Sequence, residues 1–160
     1  MKILVVSDTH GRLDNFRRVM EMHKPDLLIH CGDIEGQEAE IIEIAGCPVR
    51  MVAGNNDYFS DLPGEVEFTA GGQKIWVTHG HHYYVSMSSE YIAQEAMARE
   101  VDVAMFGHTH KPCVENRGGL VILNPGSLSY PRQEGREPSY IIMEDDRKGD
   151  WHYTIAYLRR

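Results

Sequence analysis

Five apolar, strand-like runs in this chain each end abruptly in a short polar cluster. Ile3 to Val6 leads into Asp8-Thr9-His10, and Leu27 to Ile29 into Gly32-Asp33. Val49 to Ala53 leads into Gly54-Asn55-Asn56-Asp57, Ile75 to Val77 into Thr78-His79-Gly80-His81, and Val103 to Phe106 into Gly107-His108-Thr109-His110. In an α/β sheet, ligands bind outside the carboxyl ends of the strands. Five strands ending this way direct carboxylate, amide and imidazole groups into one crevice. The set lacks thiolates, and its oxygen and imidazole donors suit two divalent cations of the manganese, iron, zinc or cobalt kind.

The segments between the clusters set the fold class. Leu13, Phe16, Val19, Met20 and His23 recur at the spacing of one helical face, which predicts a helix from about Leu13 to Lys24, broken by Pro25. A second helix is expected around Gln37 to Ala45, closed by Gly46 and Pro48. Strands alternating with helices indicate parallel pairing in the first half. The second half reads as mostly strands joined by turns. Val66 to Thr69 and Lys74 to Thr78 flank the hairpin signal Gly71-Gly72. A helix from about Ser89 to Glu100 follows, then strands at Val103 to Phe106, Leu120 to Leu123, Tyr140 to Met143 and Trp151 to Leu158. The expected architecture is α/β, with two mixed sheets packed face to face and helices outside. The longest irregular stretch, Pro125 to Pro138, is a loop of the length that often carries function.

The 160 residues fit one domain, expected over residues 1–160. A 42% hydrophobic and 25% charged composition is that of an ordinary globular chain. No apolar run approaches the roughly 20 residues that span a bilayer, and Met1 to Val6 is too short for a signal peptide. A cytoplasmic location without membrane attachment is therefore expected. Net charge is −8 and basic residues never run beyond pairs such as Arg159-Arg160. General nucleic-acid binding needs phosphate-neutralising Lys and Arg and is not expected. Bound dications would reverse the local sign, so an anionic substrate stays compatible. Cys31, Cys47 and Cys113 are odd in number and form no CxxC pair, which reads as free thiols.

Within the clusters, Asp8 and His10 are separated by one residue, as are His108 and His110. Where a chain leaves a strand, that spacing lets both side chains reach one ion. The ordered set Asp-x-His, Gly-Asp, Gly-Asn-x-Asp, Thr-His-Gly-His and Gly-His-Thr-His resembles the calcineurin-like metallophosphoesterase superfamily. The resemblance covers Met1 to about Ser139. Leu123-Asn124-Pro125-Gly126-Ser127 with Pro131-Arg132 is similar to its small, single-domain phosphodiesterase branch. The resemblance implies a four-layer α/β/β/α sandwich and hydrolysis of small phosphate esters by a metal-bridging hydroxide at a dinuclear site. It implies one metal on Asp8, His10 and His110, a second on Asn55, His79 and His108, and Asp33 bridging both. Manganese is the first choice, with nickel, iron or zinc as alternatives, and the branch admits a homodimer.

One departure bears on chemistry. Many members carry His after the metal-binding Asn, whereas this chain has Asn56. An amide donates a hydrogen bond but cannot act as a general acid. His81 is a candidate substitute acid, Asp57 a candidate for orienting the Asn56 loop, and Arg12 and Arg132 candidate phosphate-binding residues. A nuclease with the same core is set against by the acidic, single-domain character of the chain, since those enzymes carry additional DNA-binding domains; two further rivals stand beside it. One is a phosphomonoesterase with the same core. The other is a non-catalytic scaffold, as the retromer subunit of this fold is, set against here by a ligand set with every position filled.

Overall fold

Each polar cluster follows a strand in the folded chain. A computed structural model describes residues 1–159. The order is β1 (Lys2–Val6), α1 (Asp14–His23), β2 (Leu27–His30), α2 (Glu38–Ala45), β3 (Val49–Met51), β4 (Glu65–Ala70), β5 (Gln73–Thr78), a 3-10 turn at His81–Tyr83, α3 (Glu90–Ala98), β6 (Val103–Met105), β7 (Cys113–Arg117), β8 (Leu120–Asn124), β9 (Ser139–Asp145) and β10 (Trp151–Tyr157).

The strands form two five-stranded sheets, β10-β9-β1-β2-β3 and β4-β5-β6-β8-β7. Strands β1, β2 and β3 are parallel, because α1 and α2 carry the chain back across the sheet between them. Strands β9 and β10 extend that sheet antiparallel. In the other sheet β5, β6 and β8 run parallel, with β4 and β7 antiparallel at the edges. Gly71 and Gly72, at φ 56° and 77°, make the tight turn between β4 and β5.

Period-two alternation along β1 shows why the molecule has layers. Ile3 and Val5 point between the sheets, joining Ile29, Ile75, Val77 and Met105. Leu4 and Val6 point the other way, against Phe16, Val19 and Met20 of α1 and Ile41 of α2. Helix α3 covers the far face of the second sheet by packing Ile92, Ala93 and Ala96 on Trp76, Ala104 and Ile122. A strand buried on both faces reads as a continuous apolar run, which is what marked these strands in the sequence. The result is the expected helix–sheet–sheet–helix stack.

One strand was not anticipated. Strand β7, Cys-Val-Glu-Asn-Arg, lies at a sheet edge with one polar face, and its charged residues mask the alternation. The expected strand to Ala53 also stops earlier, at Met51, where the chain peels away toward the Gly54 cluster.

Candidate metal centre

The carboxyl ends of β1, β2, β3, β5 and β6 bring the five clusters together. Oδ1 of Asp8 lies 3.5 Å from His10 Nε2, 3.2 Å from His110 Nε2 and 3.8 Å from His79 Nε2. Oδ2 of Asp33 lies 3.4 Å from His79 Nε2 and 3.6 Å from His10 Nε2. The Nε2 atoms of His10 and His110 are 3.1 Å apart. Asn55 Oδ1 faces His108 Nδ1 at 3.1 Å. Two groups of donors are close enough to share an ion, Asp8 with His10 and His110, and Asp8 with Asp33 and His79.

The backbone is bent to achieve this. Asp8, His10, Asp33, Glu35, His108 and His110 all adopt positive φ, between 48° and 70°. Non-glycine residues hold that region at a cost, and such positions cluster at functional sites. Gly32, at φ 108°, is required for the same packing, since a Cβ there would stand 2.6 Å from His79 Nδ1. A Cβ on Gly107 would collide with Ser7 Oγ and stand 2.6 Å from Asp8 Oδ2.

Outer partners orient three of the imidazoles. The Nδ1 of His79 donates to the Cys31 carbonyl at 2.7 Å, and that of His110 to the Tyr130 carbonyl at 2.7 Å. Glu35 Oε2 stands 3.6 Å from His10 Nδ1. These contacts select the tautomer that leaves Nε2 free to face the centre. Ser7 Oγ donates to Asp8 Oδ2 at 2.6 Å, and the His108 amide donates to the same oxygen at 3.0 Å.

Among the described residues, Asp8 Oδ1 and His79 Nε2 are buried with no hydrogen-bond partner. A buried polar atom without a partner is costly, and here the orphans face one another across the centre. Divalent cations held there would satisfy both, so the donor set fits metal.

The electrostatics agree. Burial pushes the Asp8 carboxyl up, but the close approach of the His10, His110 and His79 imidazoles outweighs it and holds it well below the usual range. Asp33 is lowered in the same way, with His79 and Asn56 overcoming burial. The two ionised carboxylates draw positive charge and raise His10 and, against strong burial, His79.

The remaining candidates fall around this core. Asn56 donates from its backbone to Asp33 Oδ1 and from its side chain to Asp33 Oδ2, both at 2.9 Å. Asp57 accepts from the amides of Asp33, Ile34, Glu35 and Gly54 at 2.7–3.2 Å, clamping two clusters together. His81 stacks on His82 at 4.0 Å with its ring 5.4 Å from His79, and burial lowers it to about 4. The Arg12 guanidinium sits 5.3 Å over the Tyr130 ring. Arg132 lines a groove opening beside His10 and His110.

Sequence reasoning passed over Glu35, Tyr130 and Ser127. Ser127 Oγ donates to the Asp8 carbonyl at 2.7 Å and Ser129 Oγ to the Thr9 carbonyl at 2.7 Å, so the 125–138 loop buttresses the first cluster. Only the motif around Ser127 gave any hint of this.

A model of the calcineurin-like phosphoesterase superfamily domain matches residues 1–148. The probable metallophosphoesterase YsnB of Bacillus subtilis is 37% identical over 145 residues, 89% of this chain and 83% of that protein. The phosphodiesterase YfcE of Escherichia coli is 28% identical over 171 residues, 91% of this chain and 89% of that one. A single-mutant Vps29 from Entamoeba histolytica superposes with a TM-score of 0.80 at 23% identity, covering 99% of this chain and all of that one, a likeness in fold alone.

Proposed function

This chain belongs to the calcineurin-like phosphoesterase superfamily, and from that premise we propose that it hydrolyses small phosphodiesters at a dinuclear metal centre. Asp8, His10 and His110 would hold one divalent cation. Asn55, His79 and His108 would hold the other, with Asp33 shared. The observation that carries the pairing is Asp33 Oδ2, which stands within 3.6 Å of an imidazole from each set. Manganese is the first choice, with nickel, iron or zinc next, because the donors are carboxylate, amide and imidazole.

Two cations held there would acidify a water for attack on phosphorus and neutralise charge building on the phosphoryl oxygens. The chain's own groups do the positioning. The Cys31 and Tyr130 carbonyls and the Glu35 carboxylate aim three imidazoles inward. Asn56 holds the Asp33 carboxylate in place with both of its N–H donors, and Asp57 orients the loop that carries it. Arg12 and Arg132 bind anionic groups of the substrate at the rim. His81 stands beside His79 with its ring 5.4 Å away. An imidazole lowered to about 4 is neutral at pH 7, so its contribution there is a hydrogen bond to the leaving oxygen. The chain acts as one domain over residues 1–160, in the cytoplasm to judge by its free cysteines.

The test is hydrolysis of bis-p-nitrophenyl phosphate by chelator-treated protein, with manganese, nickel, zinc or magnesium restored and Asp8→Ala beside it. Activity that returns with metal and is absent in the variant is the expected result. Two ions bound per chain by elemental analysis would accompany it. No turnover with any metal by folded protein would favour the scaffold reading. A preference for p-nitrophenyl phosphate over the diester would favour the monoesterase.

A further inference from the structure

A groove of about 860 Å³ opens from the His10 and His110 edge of the centre. Lys111, Arg132 and Arg136 line it together with Tyr130. Three cations in one groove stand out in a chain of net charge −8.

The partners of these cations set them apart. Arg99 bonds Glu65, Glu67 and Glu95, and Arg117 bonds Glu90 and Glu115. Among the described residues, Lys111, Arg132 and Arg136 have no carboxylate within 4.0 Å. The acid in the groove, Glu35, is turned to His10 Nδ1 at 3.6 Å. The groove therefore carries three cations against one carboxylate, and that carboxylate faces His10 rather than any of the three.

The backbone that carries two of these cations is tied to the centre. The Arg132 amide donates to the His110 carbonyl at 3.0 Å, and His110 Nδ1 donates back to the Tyr130 carbonyl. Arg136 closes a turn by donating its amide to the Gln133 carbonyl at 3.0 Å, and Gln133 Nε2 bonds the Glu137 carbonyl at 2.7 Å. The loop that fixes the His110 imidazole is thus the loop that carries Arg132 and Arg136.

We propose that this groove binds a second phosphate carried by the substrate, so that the preferred substrate is a phosphodiester with a phosphomonoester on one of its two organic substituents. Arg and Lys are the side chains suited to a phosphate dianion, Arg in bidentate geometry. A groove of this size admits a substituent as large as a nucleoside. The scissile diester would lie at the Asp8–Asp33 centre and the second phosphate among Lys111, Arg132 and Arg136. This assignment rests on the phosphodiesterase reading above.

Two esters that differ by one group test it. They are the p-nitrophenyl ester of thymidine 5′-phosphate and the same ester bearing a 3′-phosphate. Both have the same diester and leaving group. The expected result is that the 3′-phosphorylated ester is favoured about tenfold or more in kcat/KM, a ratio of the size charge-assisted phosphate contacts give. In the Lys111→Gln/Arg136→Gln double variant, with folding checked by circular dichroism, that ratio falls toward one. Calorimetric binding of thymidine 3′,5′-bisphosphate against thymidine 5′-phosphate gives a readout without turnover, and the same tenfold difference is expected. Equal values for the two ligands in the unaltered protein would overturn the proposal, as would a preference that survives the double variant. Inorganic phosphate binding as tightly as the bisphosphate would also overturn it, by showing a site for a free anion. If neither ester turns over while the bisphosphate keeps its advantage in binding, the activity reading has failed and the groove stands.

Discussion

An aspartate or histidine at positive φ gives up backbone stability that it must recover through its side chain. Five of the seven proposed ligands stand there, namely Asp8, His10, Asp33, His108 and His110. Only His79 and Asn55 do not. The strain is tolerated where several side chains converge on one point, and it is the residue-level signature of the centre. Asn56 sets the chemistry expected beside it. Its amide is bound to Asp33 and has no proton to give a leaving alkoxide, so turnover depends on a leaving group that departs without being protonated. Methyl p-nitrophenyl phosphate should be cleaved at the nitrophenyl side at least 100-fold faster than dimethyl phosphate is cleaved, and equal rates would contradict this. His30 gives a second prediction at this scale. It is fully buried, its Nδ1 accepts from the Gly32 amide at 3.1 Å, and its Nε2 lies 3.0 Å from Thr9 Oγ1. Burial lowers it to about 4, against about 6.5 in an unfolded chain. Between those values the unfolded chain takes up a proton that the folded one refuses. Stability is therefore complete above pH 6.5 and falls as pH drops toward 4, by on the order of 3 kcal/mol. Urea unfolding of metal-free protein from pH 7 to 4.5 should show a steeper fall for the native chain than for His30→Gln, and parallel curves would refute the assignment.

At the scale of elements, helix α1 holds the first sheet's outer face by one stripe. Phe16 is fully buried against Leu4, Val6 and Leu28, while Met22 on the same helix is 61% exposed. Phe16→Ala should cost about 3–5 kcal/mol in unfolding free energy. Met22→Ala should stay within about 0.5 kcal/mol, and similar costs for the two would mean the helix packs otherwise. This contrast explains what was legible beforehand. Phe16, Val19 and Met20 recur at helical spacing because one face is buried. Ile3 to Val6 reads as an unbroken apolar run because both faces are. Strand β7 was hidden because an edge strand needs only one apolar face, and Val114 alone marks it among Cys113, Glu115, Asn116 and Arg117. The clusters announced the site because ligands must follow strand ends. Glu35 and Tyr130 did not, since their role is to reach across space to His10 and His110, and nothing in local spacing records that.

Across the whole molecule the centre is a joint between the two sheets. Asp8, His10, Asp33 and Asn55 follow strands of the first sheet, and His79, His108 and His110 follow strands of the second. The face between the sheets is apolar and holds them together by burial of Ile3, Val5, Ile29, Ile75, Val77 and Met105. At its carboxyl end the same joint is closed by ionised carboxylates and the partnerless atoms Asp8 Oδ1 and His79 Nε2. Metal bound there would tie one sheet to the other and have no equivalent site in the unfolded chain. Binding to the native state alone adds about 2.7 kcal/mol per site at 100 times the dissociation constant. For a chain of 160 residues, each kcal/mol shifts Tm by about 2–4 °C. Adding manganese to chelator-treated protein should therefore raise Tm by about 5–10 °C or more. Asp8→Ala, which removes a carboxylate that faces donors from both sheets, should lose most of that rise while remaining folded. A Tm indifferent to millimolar manganese, nickel and zinc would mean that the donors do not close on a cation and that the sheets are joined by their apolar core alone.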